Sequence, residues 1–222
     1  SACLVGSEMC IRDRPYIGKE PNPSPSQTLG TGAAEDILLK LDGNAVDYHI
    51  GIDDSVDLLT IGKGSALGTT TSMSFDGDGI MNMPLQPAYS GHLSGHQTLA
   101  TGTWTKLALA TELYDKNNDF DSSTNYRFTC PVDGIYLTQL NASFGLTAGN
   151  DCGVAVHKNG SERIRRVDVP GRNGGHFGVN CMGLFDLDAT DYLEFYAFHT
   201  EGSDDTVTGS KEYSYVMVHK IA

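Results

Sequence analysis

The sequence predicts an all-β protein, a sandwich or barrel, on three observations. From Gly134 to Phe144 side-chain character alternates with a period of two: Tyr136, Thr138, Leu140, Ala142 and Phe144 share one face, and Gln139, Asn141 and Ser143 lie on the other. Turn signals recur along the whole chain, with Gly 26 and Pro 8 among 222 residues, so the strands must be short and closely spaced. No stretch sustains a helical period. Hydrophobic residues make up 39% of the chain, enough for a packed core, and no apolar run approaches the roughly 18 residues of a membrane helix.

Residues 1–14 stand apart. Leu4-Val5-Gly6-Ser7-Glu8-Met9-Cys10-Ile11-Arg12-Asp13-Arg14 resembles the translation of a transposon-type sequencing adapter. The segment is therefore expected to be an artefact, with the natural N-terminus missing and the gene drawn from mixed environmental (metagenomic) DNA. Without it Cys3 and Cys10 drop out, leaving Cys130, Cys152 and Cys181. An odd set without regular spacing is neither a disulfide framework nor a zinc site. Cys130 shares strand parity with Phe128 and is expected to be a small buried hydrophobe. Residues 15–32, with Pro21-Asn22-Pro23-Ser24-Pro25-Ser26, read as an extended linker.

Residues 33–86 carry short apolar bursts separated by turns: Ile37-Leu38-Leu39-Lys40-Leu41, Tyr48-His49-Ile50-Gly51-Ile52, Leu58-Leu59-Thr60-Ile61, Met73-Ser74-Phe75 and Ile80-Met81-Asn82-Met83. This is the rhythm of a β-meander. The region is too small to close a core alone, so it is expected to gain one from other copies of itself. Asp76-Gly77-Asp78-Gly79 reads as a hairpin turn, because the further ligands and closing Glu of a calcium loop are absent.

The run Leu41-Asp42-Gly43-Asn44-Ala45-Val46-Asp47-Tyr48-His49-Ile50-Gly51-Ile52-Asp53-Asp54-Ser55, extended by Ile61-Gly62-Lys63-Gly64-Ser65-Ala66-Leu67-Gly68, resembles intermediate segments of bacteriophage tail-fibre proteins. The resemblance implies a fibre stalk.

Residues 87–222 are strand after strand. Tyr126 to Cys130 ends at Pro131, which cannot continue a central strand. Gly134 to Phe144, then Gly153 to His157 with its Lys158-Asn159-Gly160 turn, Phe177 to Leu187, Tyr192 to His199 and Tyr213 to Ile221 complete the series. The ordered features resemble the C1q-like domain, a jelly roll shared in outline with tumour necrosis factor. The residues that carry the resemblance are Ala88-Tyr89-Ser90-Gly91 at the opening, Phe128-Thr129-Cys130-Pro131-Val132, Gly134 and Tyr136 in the middle, Lys158-Asn159-Gly160, Asp191-Tyr192-Leu193-Glu194-Phe195-Tyr196-Ala197, and Ser214-Tyr215-Val216-Met217-Val218. Tyr89, Phe128, Cys130, Gly134, Tyr136, Asn159, Gly160, Phe195 and Tyr215 are the expected core and signature positions. Thr138 and Leu140 depart from the family pattern, which places aromatics there, and one extra residue falls between Phe120 and Phe128. The family resemblance also implies a homotrimer.

Catalytic motifs are missing: no Gly-x-Ser-x-Gly elbow, no phosphate-binding glycine loop and no His-Glu-x-x-His. His92 and His96 fall in a Gly- and Ser-rich stretch expected to be a loop. Asp115, Asp119 and Asp121 could serve a polysaccharide depolymerase but read more simply as acidic loops. No cofactor is indicated; structural calcium is compatible with the sequence, but no motif calls for it. The net charge of −13 disfavours nucleic acid and anionic membranes as partners. Against that background Arg163, Arg165, Arg166 and Arg172 stand out as ligand-binding candidates, because guanidinium groups suit the carboxylates or sulfates of a surface glycan. Their alternative role is a solvated edge strand or pairing with acids of another copy.

The reading is thus a non-enzymatic, receptor-binding tip of a trimeric tail fibre in a virion. Its partners would be copies of itself, a host glycan or receptor, and other tail proteins through the missing N-terminus. A secreted C1q-like recognition protein is the alternative, disfavoured because no collagen repeat appears between Pro15 and Met83. A depolymerase is a weaker one.

Overall fold

The computed structural model describes residues 28–171 and 175–222; the adapter-like segment, most of the linker and Arg172 lie outside them. Every regular element among the described residues is a strand. The chain separates into two compact units, with the break between Met83 and Pro84.

The N-terminal unit is a five-stranded antiparallel meander in chain order: β1 (Ile37–Leu41), β2 (Tyr48–Asp53), β3 (Leu58–Lys63), β4 (Thr71–Phe75) and β5 (Met81–Asn82). Paired residues of antiparallel strands point to the same face, so the register sorts the side chains into two sets. One row crosses every strand, Ile37–Ile52–Leu59–Phe75–Met81, and a second runs Leu39–Ile50–Ile61–Met73. This apolar face is open: Leu39, Ile50, Ile52, Leu59 and Met81 are all exposed. The opposite face holds His49, Asp53, Thr60 and Ser74, and these are buried. The β3–β4 connection covers them. His49 Nδ1 lies 3.0 Å from the Gly64 carbonyl, and Leu67 sits so close over Gly51 that a Cβ there would stand 2.9 Å from Leu67 Cδ2. Apart from Leu38 on the edge strand, the sheet therefore covers its polar face and leaves its apolar face in water, the reverse of a self-sufficient domain. The Asp76 to Gly79 segment is a hairpin turn, held by Asp76 Oδ1 accepting from the Asp78 and Ile80 amides at 3.0 and 2.9 Å.

The C-terminal unit contains β6 (Ala88–His92), β7 (Gln97–Leu99), β8 (Thr105–Lys106), β9 (Thr111–Asp115), β10 (Phe120–Asp121), β11 (Arg127–Thr129), β12 (Gly134–Phe144), β13 (Cys152–Lys158), β14 (Ser161–Asp168), β15 (Phe177–Leu187), β16 (Tyr192–His199), β17 (Asp205–Val207) and β18 (Tyr215–Lys220). Its main pairs are nested: β13 with β14, β12 with β15, β11 with β16, and β6 with β18. A long hairpin rolled on itself in this way, with successive pairs alternating between two sheets, is a jelly-roll β-sandwich. One sheet runs β10-β11-β16-β13-β14 with β8 beside β16. The other runs β7-β17-β12-β18-β6-β9 with β15 beside β12.

The core lies between these sheets and uses the face that the alternation of β12 marks, with Tyr136, Thr138, Leu140, Ala142 and Phe144 all buried. Thr138, where the family pattern has an aromatic, satisfies its hydroxyl by donating to the Met217 carbonyl at 2.9 Å. Tyr89, Phe128, Cys130 and Phe195 are core residues. Tyr89 stacks on Phe120 at 4.0 Å, and Phe120 is the register partner of Phe128. Gly134 has φ 154°, and a Cβ there would meet Lys220 Cε at 2.6 Å. Tyr215 is a correction to the expected core. Val216 and Val218 take the inward face of β18, so period two sends Tyr215 outward with Met217 and His219. His92 is another: it closes strand β6 instead of lying in a loop.

Candidate functional site

The three described arginines of the candidate set lie on β14, an edge strand, and the structure gives them different surroundings. The hairpin from β13 into β14 turns on Asn159 and Gly160, both with positive φ (53° and 75°), the pair a two-residue primed turn requires. Just beyond it the register breaks. His157 faces Glu162 and Val156 faces Ile164, which leaves Arg163 as an extra residue in a β-bulge. Bulges re-aim side chains, and this one turns Arg163 toward the facing edge of the other sheet.

There Arg163 lines a cleft of about 400 Å³ with Lys158, Ile164, Leu184, Phe185 and Asp186. The cleft opens where the edge strands β14 and β15 oppose each other. Gly183 makes the approach feasible, since a Cβ there would already stand 3.3 Å from Ile164 Cδ1. Lys158 is held in place: its ammonium lies 2.6 Å from Asp191 and donates to the Asp186 carbonyl at 2.8 Å. Arg165 lies 3.7 Å from Glu162, and Arg166 lies 2.8 Å from Asp168. The Arg166 bond and the Val169 amide hold the Asp168 carboxyl below its usual range. Arg163 has no carboxylate partner among the described residues.

The acidic residues considered for hydrolysis act as turn-holders. Asp115 accepts from the Asp119 and Phe120 amides at 3.0 and 2.8 Å. Asp121 accepts from the Ser123, Thr124 and Asn125 amides, bonds that hold its carboxyl well below the usual range. Asp119 is raised by burial and by the Asp115 charge, and it lines a cleft of about 540 Å³ with Glu112, Asn118 and Asp121. His96 Nδ1 accepts from the Gly209 amide at 3.0 Å. No cluster of His, Cys, Asp and Glu among the described residues could hold a metal ion. Cys130, Cys152 and Cys181 are buried free thiols.

A second open surface covers the outward face of β12, β15 and β18. Met182 is 60% exposed, and Leu137, Met217, His219 and Ile221 join it around an apolar hollow of about 370 Å³. On β9, Tyr114 pairs its hydroxyl with His219 Nε2 at 2.6 Å, and burial lowers the pKa of His219.

No family model matches the chain, and neither does any curated protein. Solved structures do. They include a complement domain and a tumour-necrosis-factor structure, each covering about three-fifths of this chain. The globular domain of zebrafish complement 1qA shares 17% identity, covering 61% of this chain and 98% of that one, with a TM-score of 0.48. Eiger TNF from S. frugiperda gives 13%, 62% and 93%, with a TM-score of 0.47. Murine APRIL gives 11%, 61% and 99%, with a TM-score of 0.48. At such identities these likenesses concern architecture alone.

Sequence reasoning singled out the arginines but not Lys158, Leu184, Phe185 or Asp186. Those reach the cleft because two sheet edges meet, and local pattern carries no signal of that.

Proposed function

We propose that this chain is the receptor-binding tip of a trimeric viral tail fibre, an adhesin that recognises a cell-surface glycan or protein without altering it. The observation that carries the reading is the open apolar face of the N-terminal meander. Two rows of Ile, Leu, Met and Phe cross this face, and Leu39, Ile50, Ile52, Leu59 and Met81 among them face water, while His49, Asp53, Thr60 and Ser74 on the other side are buried. Three copies set around an axis close those faces on one another, at roughly 25 cal/mol per Å² of apolar surface removed from water. The outward hollow on β12 and β18, with Met182 beside it 60% exposed, is a second surface that assembly would cover. A meander that folds only in company is suited to a stalk. The sandwich then serves as a head that presents its edges and loops to a target.

The reading is tested by incubating the whole protein with cells of candidate bacterial hosts and with their envelope polysaccharides. Saturable binding with no release of oligosaccharides is expected. Release of defined oligosaccharides would replace the adhesin with a depolymerase.

A further inference from the structure

We propose that the cleft between β14 and β15 is a binding site for an acidic sugar, with Arg163 receiving the carboxylate and Asp186 receiving the hydroxyl groups. The inference rests on the recognition reading above and names the ligand class and the place.

The argument begins with charge. Lysine and arginine number 15 against 28 aspartates and glutamates, so an arginine has acids to spare. Arg165, Arg166 and Lys158 each take one, and Arg163 takes none among the described residues. The bulge leaves Arg163 without a register partner on β13, and Glu162 and Asp168, the acids of its own strand, are taken by Arg165 and Arg166. Arg163 instead lines a concave space of about 400 Å³, within the size range of small-ligand sites. A planar fork of donors in such a place suits a carboxylate, which it can hold by two parallel bonds.

The other walls narrow the class. Asp186 shares the cleft and repels a multiply charged anion such as phosphate, as does the net charge of −13. Its carboxylate does accept from hydroxyl groups. The Lys158 ammonium is committed to Asp191 and to the Asp186 carbonyl, so it frames the cleft and adds little free charge. Ile164, Leu184 and Phe185 offer an apolar wall, and Leu184 is 63% exposed. A ligand with one carboxylate, several hydroxyls and an apolar C–H face uses every part of this lining. A uronic or sialic acid residue has that chemistry; a neutral sugar leaves Arg163 unused, and inorganic sulfate leaves Asp186 opposed.

Glucuronic acid, galacturonic acid and N-acetylneuraminic acid are titrated into the full chain by calorimetry or saturation-transfer NMR, with glucose and inorganic sulfate as controls. The acidic sugars are expected to bind, and Arg163→Ala is expected to weaken them by about tenfold or more, the loss of a charge-assisted pair. Arg163→Lys, which keeps the charge but not the fork, should recover part of the affinity. Asp186→Asn should weaken the sugars while strengthening sulfate. Arg163 is exposed on an edge strand, and an unchanged melting temperature confirms that each variant folds. Undiminished sugar binding by Arg163→Ala overturns this site while leaving a glycan-binding head intact. Sulfate bound as well as the sugars, or no acidic sugar bound at all, also overturns it, and host-cell binding by the same protein then judges the adhesin reading separately.

Discussion

Asn159 and Asp191 clamp two distant turns together. The Asn159 amide donates to Asp191 Oδ1 at 2.6 Å, and its carbonyl oxygen accepts from the Tyr192 amide at 2.9 Å. The second Asp191 oxygen accepts from the Asp188 amide at 2.9 Å and faces the Lys158 ammonium at 2.6 Å. The β13–β14 hairpin is thereby tied to the start of β16, which positions Lys158 at the rim of the arginine cleft.

The clamp predicts a pH signature. Lys158, then Asn159 and the Asp188 amide, hold the Asp191 carboxyl down at about 2, against about 3.9 for an ordinary aspartate. A carboxyl depressed by folding stabilises fully above its unfolded value and loses that contribution as pH falls toward the folded one. The melting-temperature gap between wild type and Asp191→Asn should therefore close between about pH 4 and pH 2. A gap that stays constant would show that the carboxylate charge contributes nothing.

Asn159→Ala should cost about 1–3 kcal/mol in denaturant unfolding, from two lost hydrogen bonds and a left-handed backbone that alanine resists. Asn159→Gly should recover the backbone share only.

Tyr136 is fully buried, and its hydroxyl donates to the Val132 carbonyl at 2.8 Å. Tyr136→Phe should cost about 1 kcal/mol and Tyr136→Ala about 3–5 kcal/mol in the same measurement. Equal losses would mean that the hydroxyl, not the ring, dominates.

Burial pushes the Cys152 thiol up to about 12 and Cys181 to about 11. Both stay neutral at pH 8 and should resist iodoacetamide until the chain is unfolded. Intact mass after alkylation, with and without guanidinium, reads this out, and rapid labelling of the native protein would contradict it.

Much of the sandwich was legible: period two is unambiguous on β12, and β12, β15 and β16 span the residues expected of them. Asn159 and Asp191 each stand in a string that carries the family resemblance, but their contact across the fold is not visible there. Tyr215 misled because a terminal aromatic beside Val216 and Val218 has the same composition whichever face it takes. The cleft was half legible. A run of arginines in an acidic chain is visible in one dimension, whereas a one-residue bulge that frees Arg163, and the apposition of Leu184 and Asp186 from β15, exist only once the sheets are stacked.

The open face of the meander makes its own prediction. Ile50→Asp, at the centre of that face, should lower the concentration stability of the assembly by more than tenfold, roughly 1.4 kcal/mol. Leu38→Asp, on the opposite face and also exposed, should leave it unchanged in sedimentation velocity.

The most direct measurement is the mass of the intact protein in solution, by sedimentation equilibrium or light scattering across the micromolar range. Three times the mass of one chain is predicted, with Ile50→Asp shifting the population toward single chains. A wild-type protein that is folded and monomeric throughout that range would contradict the trimer, and with it the assignment of residues 33–86 as a stalk.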